Sequence, residues 1–317
     1  VLEQAEENLR NVKTRADSPL RSRQYVAKAD SDCIKLGFFD ADFPQSLREI
    51  PDPPLVLYVR GNPNNLHSRC IAIVGARRCT RTGAWFAENL AHDLSQAGLC
   101  VVSGLALGID AAAHRGCVRA NGRTVAFLGA GLNKIYPAMN QQLALDILRH
   151  QGTLVSEYPA DTTPRRHHFP ERNRLLSGAS SAVVVVEAST HSGSLISARL
   201  ALEQGRDVFA VPGPVHSLVS AGCHRLLQQG AGLITSATDV LQELGLEAAS
   251  STRADGALDG VSSEALQLHA QLSSYPMTLD EISAVTHEDV AQLLVLLSEL
   301  ELVGIVSQGP SGYIRTS

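Results

Sequence analysis

The sequence predicts an α/β protein, an extended, doubly wound and mostly parallel sheet followed by a small C-terminal winged-helix domain. Three observations carry this. First, short apolar runs recur: CIAIVG (70–75), LCVVSG (99–104), TVAFLG (124–129), TLVSEY (153–158), AVVVVE (182–187), DVFAVPG (207–213) and GLITS (232–236). Helical patterns such as GAWFAENLAHDLSQAG (83–98) and SARLALEQG (197–205) separate them. Runs this uniformly apolar are buried on both faces, as in a parallel sheet covered by helices. Second, nearly every run ends in Gly, Ser or Glu and opens a polar loop. Third, the composition changes at 247–263, EAASSTRADGALDGVSS, a small, polar stretch that reads as a flexible linker.

Taken in order, residues 1–50 are expected to form a helical N-terminal segment, with LEQAEENLRNV as one helix and turns and short helices after it. Pro44, Pro51, Pro53 and Pro54 mark a boundary. The strand LVLYVRG (55–61) then opens the main domain, placed at 51–246. Beyond the linker, residues 264–317 show three helical patterns, EALQLHAQL, TLDEISAVT and EDVAQLLVLLSELELVG, then IVSQ, a GPSG turn and YIRT. Three helices closed by a hairpin describe a winged helix-turn-helix.

An apolar content of 44% and a charged content of 19% over 317 residues are those of a globular chain with room for about two domains. No apolar run approaches the ~20 residues of a membrane span. The first residues are polar, so no signal peptide is expected. Six cysteines without C-x-x-C pairing or histidines at metal spacing read as reduced thiols of a cytoplasmic protein, with no metal. The net charge of −5 conceals an asymmetry: residues 69–236 carry 16 Lys and Arg against 10 Asp and Glu, whereas 237–317 carry 2 against 12. An anionic partner belongs with the middle segment.

The chemistry-bearing residues lie where the runs end, and ligands of open α/β sheets sit outside the carboxyl ends of strands. The stretch FPERNRLLSGASSAVVVVE places Arg172, Asn173 and Arg174 at a helix start, just after Arg165, Arg166, His167, His168 and Phe169. The turn VGARRCTRTG carries Arg77, Arg78 and Arg81, able to grip phosphate with help from helix-terminal N–H groups. It matches neither the G-x-G-x-x-G nor the G-x-x-x-x-G-K-[ST] pattern. The turn SGLALGIDAAAH begins at Ser103 and Gly104, where small residues admit a ligand close to the backbone. LGAGLNKIYPAMN supplies Lys134, and EASTHSGSLISA puts Ser192, Gly193 and Ser194 at a helix start. Each feature has a plainer reading: surface arginines, an N-cap, or, for Asp110 and His114 at i and i+4, capping and packing rather than a catalytic pair. No HExxH, GxSxG or paired-carboxylate arrangement appears. Basic loops at several strand ends, interrupted by an aromatic, favour a long polyanion over a small ligand.

IAIVGARRCTRTG, VVSGLALGIDAAAH, LGAGLNKIYPAMN, SEYPADTTPRRHHFPERNRLLSG, VVEASTHSGSLISARLALEQGRDVFAVPG, GCHRLLQQGAGLI and GFFDADFPQSLREIPDPPLVLYVRGN together resemble the DNA-processing protein A family, collinearly over about 36–245. The resemblance implies a Rossmann-like domain that binds single-stranded DNA as a homodimer, protects incoming DNA during natural transformation and loads the RecA recombinase. Single-strand-binding protein is a further partner. No cofactor, no catalytic turnover and no membrane association are expected. The family's phosphate-gripping arginine falls on Arg77, its basic residue ahead of FPxRNR on Arg166, and its base-contacting aromatic on Phe169. Ala76 stands where the family commonly has Ser, and Ala138 where a basic residue often follows Tyr-Pro; the resemblance implies that one phosphate contact is lost or moved to Lys134.

The alternative is a nucleotide-processing enzyme, phosphoribohydrolase-like, on a related scaffold; it needs a PGGxGTxxE-like loop that this sequence lacks. The dimer is expected near Leu218–Leu233. The winged helix is expected not to be the main DNA-binding module, because residues 254–317 hold one Arg and nine carboxylates.

Overall fold

Each apolar run becomes a strand whose alternate side chains enter opposite cores. In β3 (Cys70–Val74), Cys70, Ala72 and Val74 join one core, and Ile71 and Ile73 the other. The computed structural model describes residues 33–246, 261–273, 276–303, 305–309 and 312–315. The segment 1–32 and most of the expected linker, 247–260, lie outside the described residues. The chain divides into two compact units, Val1–Ala248 and Ala249–Ser317.

The first unit is built on a nine-stranded sheet in the order β1-β2-β6-β5-β4-β3-β7-β8-β9. Its strands are β1 (Ile34–Gly37), β2 (Val56–Gly61), β3, β4 (Cys100–Ser103), β5 (Thr124–Leu128), β6 (Thr153–Ser156), β7 (Ala182–Val185), β8 (Asp207–Ala210) and β9 (Gly232–Leu233). Neighbours from β6 to β9 pair in parallel, while β1–β2 and β2–β6 are antiparallel. The sheet therefore includes β1 from Ile34, ahead of the proline cluster at which the main domain was expected to open. With four residues and an uneven burial pattern, β1 is too short for period-2 alternation to be visible.

A short helix, α1 (Gln45–Arg48), follows β1. Helices α2 (Arg81–Gln96) and α3 (Ile109–Arg119) cover one face of the sheet, burying Leu90, Leu94, Ala112 and Ala113. Helices α5 (His168–Gly178) and α6 (Ser194–Glu203) cover the other through Leu175, Leu176, Ala198 and Ala201. α4 (Gln141–Arg149) closes a smaller core with Ala126, Leu128 and Leu154. α7 (Ala221–Gln228) and α8 (Ala237–Glu243) complete the unit, the latter starting from a Ser236–Asp239 capping box.

The second unit is a winged helix with a core of its own. It comprises α9 (Ser263–Gln271), α10 (Leu279–Thr286), α11 (Val290–Leu302) and the hairpin β10 (Val306–Gly309)–β11 (Gly312–Arg315). Leu268, Ile282, Leu293, Leu297, Leu300 and Tyr313 are buried together. A Thr278–Glu281 capping box starts α10.

Candidate nucleic-acid interface

β3 lies beside β4 on one side and β7 on the other, so this is where the strand order reverses and the loops after β3 and β7 diverge. A cleft of about 680 Å³ opens there. The β3 loop contributes Gly75–Arg78, α5 contributes Phe169, Arg172 and Asn173, and the β7 loop with the start of α6 contributes Ser189 and Ser192–Ser194.

Arg77 and Arg78 are exposed at the cleft, as is Arg166, which precedes α5. The Arg77 guanidinium lies over the Phe169 ring, 5.5 Å from its centroid. On its other contacts Phe169 meets Tyr136 at 5.5 Å between centroids, tilted by 45°. It also packs on Gly129, where an added Cβ would come within 2.9 Å of the ring.

Arg172 is a buried charge in the cleft wall, 5% exposed. Its Nη1 donates to the Phe127 carbonyl oxygen at 2.6 Å, and its Nε finds no acceptor among the described residues. Gly104 makes room for it: a Cβ there would stand 1.9 Å from Nη1. Burial pulls the Arg172 guanidinium below its ordinary range, and the Asp110 carboxylate opposes the shift. Arginine stays protonated under such a shift. Asp110 accepts from the Gly104 and Ala106 backbone N–H groups at 3.1 and 3.4 Å. Burial raises Asp110 above the usual carboxylate range, with Arg172 acting against it. Among the described residues Asp110 is the only carboxylate lining the cleft, beside four arginines.

At the start of α6 the Ser192 and Ser194 hydroxyls bond each other at 2.7 Å, and the Ser194 N–H donates to the Ser192 Oγ at 3.3 Å. The hydroxyls order the turn, which lines the cleft, while the N-cap of α6 is Gly193, without a side-chain capping bond.

Other expected residues stand elsewhere. Ser103 is buried, its hydroxyl spent on the Ile73 carbonyl oxygen at 2.6 Å. Lys134 is exposed but does not line the cleft. Arg174, expected with Arg77 and Arg166 to grip the strand's backbone, does not line the cleft. It is buried, with Nε donating to Asp52 at 2.9 Å and Nη2 to both Glu157 oxygens at 2.8 and 2.7 Å, one helical face round from Arg172. His168 is also turned inward: its Nδ1 lies 3.1 Å from the Gly129 carbonyl oxygen, its ring stacks on Tyr158 at 4.0 Å, and burial lowers its basicity. Asp110 and His114 form no pair, since His114 bonds the Thr124 hydroxyl at 2.8 Å.

Sequence reasoning passed over Tyr136, whose stretch was read for Lys134 and Ala138. It also missed the partner of Glu187. That carboxylate accepts from the Thr80 N–H at 2.8 Å and the Thr80 hydroxyl at 2.5 Å, where α2 begins.

The comparisons with known proteins agree with this geometry. The family model described as DNA recombination-mediator protein A matches residues 35–245, and the DprA winged helix domain matches 252–312. Protein Smf of Escherichia coli is 38% identical over 283 residues, 87% of this chain and 76% of that protein. DNA processing protein DprA of Streptococcus pneumoniae is 43% identical over 204 residues, 64% of this chain and 72% of that one. The X-ray structure of the S. pneumoniae protein superposes with a TM-score of 0.63 at 42% identity, covering 66% of this chain and 74% of that one. DNA processing protein A of Helicobacter pylori, studied for its single-stranded DNA binding mode, gives 0.60 at 30% identity, covering 67% and 95%. With its cleft at the reversal of a Rossmann-like sheet, its winged-helix unit and matches over most of its length, this chain belongs to the DNA recombination-mediator protein A family.

Proposed function

We propose that the cleft binds single-stranded DNA, and that the protein protects incoming DNA in natural transformation and loads a RecA-type recombinase onto it in the cytoplasm. The observation that carries the reading is the composition of the cleft: Arg77, Arg78, Arg166 and Arg172 around Phe169 and Tyr136, with Asp110 as the opposing carboxylate. Arginines neutralise phosphates, and aromatic faces stack only on bases released from pairing. The related H. pylori protein, named for its single-stranded DNA binding mode, supports the same ligand. Recombinase loading and contact with single-strand-binding protein rest on family membership. Their test is RecA filament growth on DNA coated with that protein, which should accelerate on adding this one.

A homodimer is proposed through the end of the sheet near β9, where Val215, Leu218 and Leu233 are 79%, 83% and 57% exposed. Two clefts on one strand raise the effective concentration of the second contact. Sedimentation showing monomer alone at micromolar protein would count against it.

The protein acts here as a binder, not a catalyst. A nucleotide-processing enzyme on this scaffold finds less support. The helix start after β3, a usual phosphate seat in such folds, already holds the Glu187 carboxylate. Fluorescence anisotropy with labelled oligo-dT and with duplex tests the main reading. Arg77→Ala and Arg166→Ala should each weaken single-strand binding and flatten its salt slope by about one charge or less. Equal binding by the double variant and the wild type would reject the site, and release of free base from nucleotides would reinstate the enzyme.

A further inference from the structure

We infer that Tyr136 is a nucleobase-stacking platform of the cleft, holding a base next to the one at Phe169; this rests on the single-stranded DNA reading above. Phe169 is only partly exposed, because the Arg77 guanidinium covers its ring and the Gly129 backbone packs against it. A base reaching Phe169 competes with these contacts. Tyr136 lines the same cleft with 48% of its surface exposed. Its ring is 5.5 Å from the Phe169 ring and tilted by 45°, so its open face continues the aromatic surface at an angle rather than doubling it. Successive bases of an unpaired strand splay by tens of degrees when each lies on its own ring, so two angled platforms suit two bases better than one. A tyrosine left this open, lining a cleft with four arginines, fits an unpaired base better than solvent.

The side chain's value lies in its ring face, so the hydroxyl is dispensable. The test measures oligo-dT affinity against salt, together with the fluorescence of an oligonucleotide carrying one 2-aminopurine, for wild type, Tyr136→Ala, Tyr136→Phe and Phe169→Ala. Tyr136→Ala should weaken binding roughly five- to hundredfold with no change in salt slope, the range for one lost base stack. Bound 2-aminopurine should brighten with it, since unstacking relieves quenching, and Tyr136→Phe should restore both readouts. Tyr136→Ala lacking any effect on affinity and on 2-aminopurine quenching, while Phe169→Ala retains its own, overturns the inference. So does a loss on Tyr136→Ala that Tyr136→Phe fails to restore. A wild type that binds no single-stranded DNA rejects instead the function on which the inference rests.

Discussion

His114 is wholly buried on α3, its Nδ1 on the Thr124 hydroxyl and its Nε2 without a partner among the described residues. Burial drives its pKa down to about 3, with Arg172 and Arg115 adding repulsion. An unfolded histidine takes up a proton near pH 6.5. Between that pH and about 3 the unfolded chain thus holds one proton more than the folded chain at this site. Stability contributed by neutral His114 is complete above the unfolded value and is lost as pH falls, by up to ~1.4 kcal/mol per unit. Replacing the imidazole with an amide removes this titration, so the stability gap between wild type and His114→Gln should narrow from pH 7 to pH 5. Urea denaturation at the two pH values reads it; a constant gap contradicts the assignment. Arg174 gives the opposite lesson about single side chains. RNR reads as two equal cations, but at i and i+2 on a helix they face about 200° apart. Arg172 reaches the cleft, and Arg174 is drawn into Asp52 and Glu157, a partner that no local pattern reveals.

Among the elements, the loop from β3 to α2 decides whether Arg77 is held ready. Thr80 caps α2, its hydroxyl accepting from the Gly83 N–H at 2.9 Å, and Glu187 at the end of β7 clamps Thr80 through two further bonds. Gly83 is required beneath the clamp, since a Cβ there would stand 2.4 Å from the carboxylate. Glu187 is therefore expected to act on the cleft only by positioning the loop that carries Arg77. Glu187→Ala should weaken single-strand binding several-fold, Glu187→Gln should keep most of it because the amide oxygen still accepts, and Glu187→Ala should add nothing to Arg77→Ala. Additive losses in that double-mutant cycle would separate the two residues. The clamp joins residues 107 apart, which is why GARRCTRTG and VVEAS read as two loops and not as one device. The strands between them were legible, because full burial writes itself as unbroken apolar runs. β1 was not, because four residues, two of them exposed and one buried, leave no period to see. The cleft was legible in part: exposed arginines after strands are visible as letters. Tyr136 was hidden, because nothing in an Ile-Tyr-Pro sequence says whether the ring faces core or solvent.

On the scale of the whole molecule, charge and fold give opposite answers for the winged-helix unit. Such folds lay their third helix in the major groove. Here that helix, α11, has no Lys or Arg, and residues 254–317 hold Arg315 alone against nine carboxylates. Where a DNA-reading helix carries cations, α11 exposes Val295 and Leu302, at 68% and 89%. Glu299, one of the helix's acids, is bound to the Ser262 N–H and hydroxyl and stiffens the start of α9 instead of reaching outward. Phosphate contact is needed whatever bases are read, so repulsion should outweigh shape and the unit is expected to add little to DNA affinity. The first unit has its own cores on both sheet faces and needs none of the second unit's side chains to bury them. A chain ending near Asp255 should therefore stay folded and bind oligo-dT within about threefold of the full-length protein. Losing eight carboxylates and one arginine with residues 256–317 should if anything steepen the salt slope slightly. Fragment 256–317 should bind neither oligo-dT nor duplex at physiological salt. Tight binding by that fragment, or loss of single-strand affinity in a truncated chain that still melts cooperatively, would return the winged helix to the DNA and make charge the weaker guide.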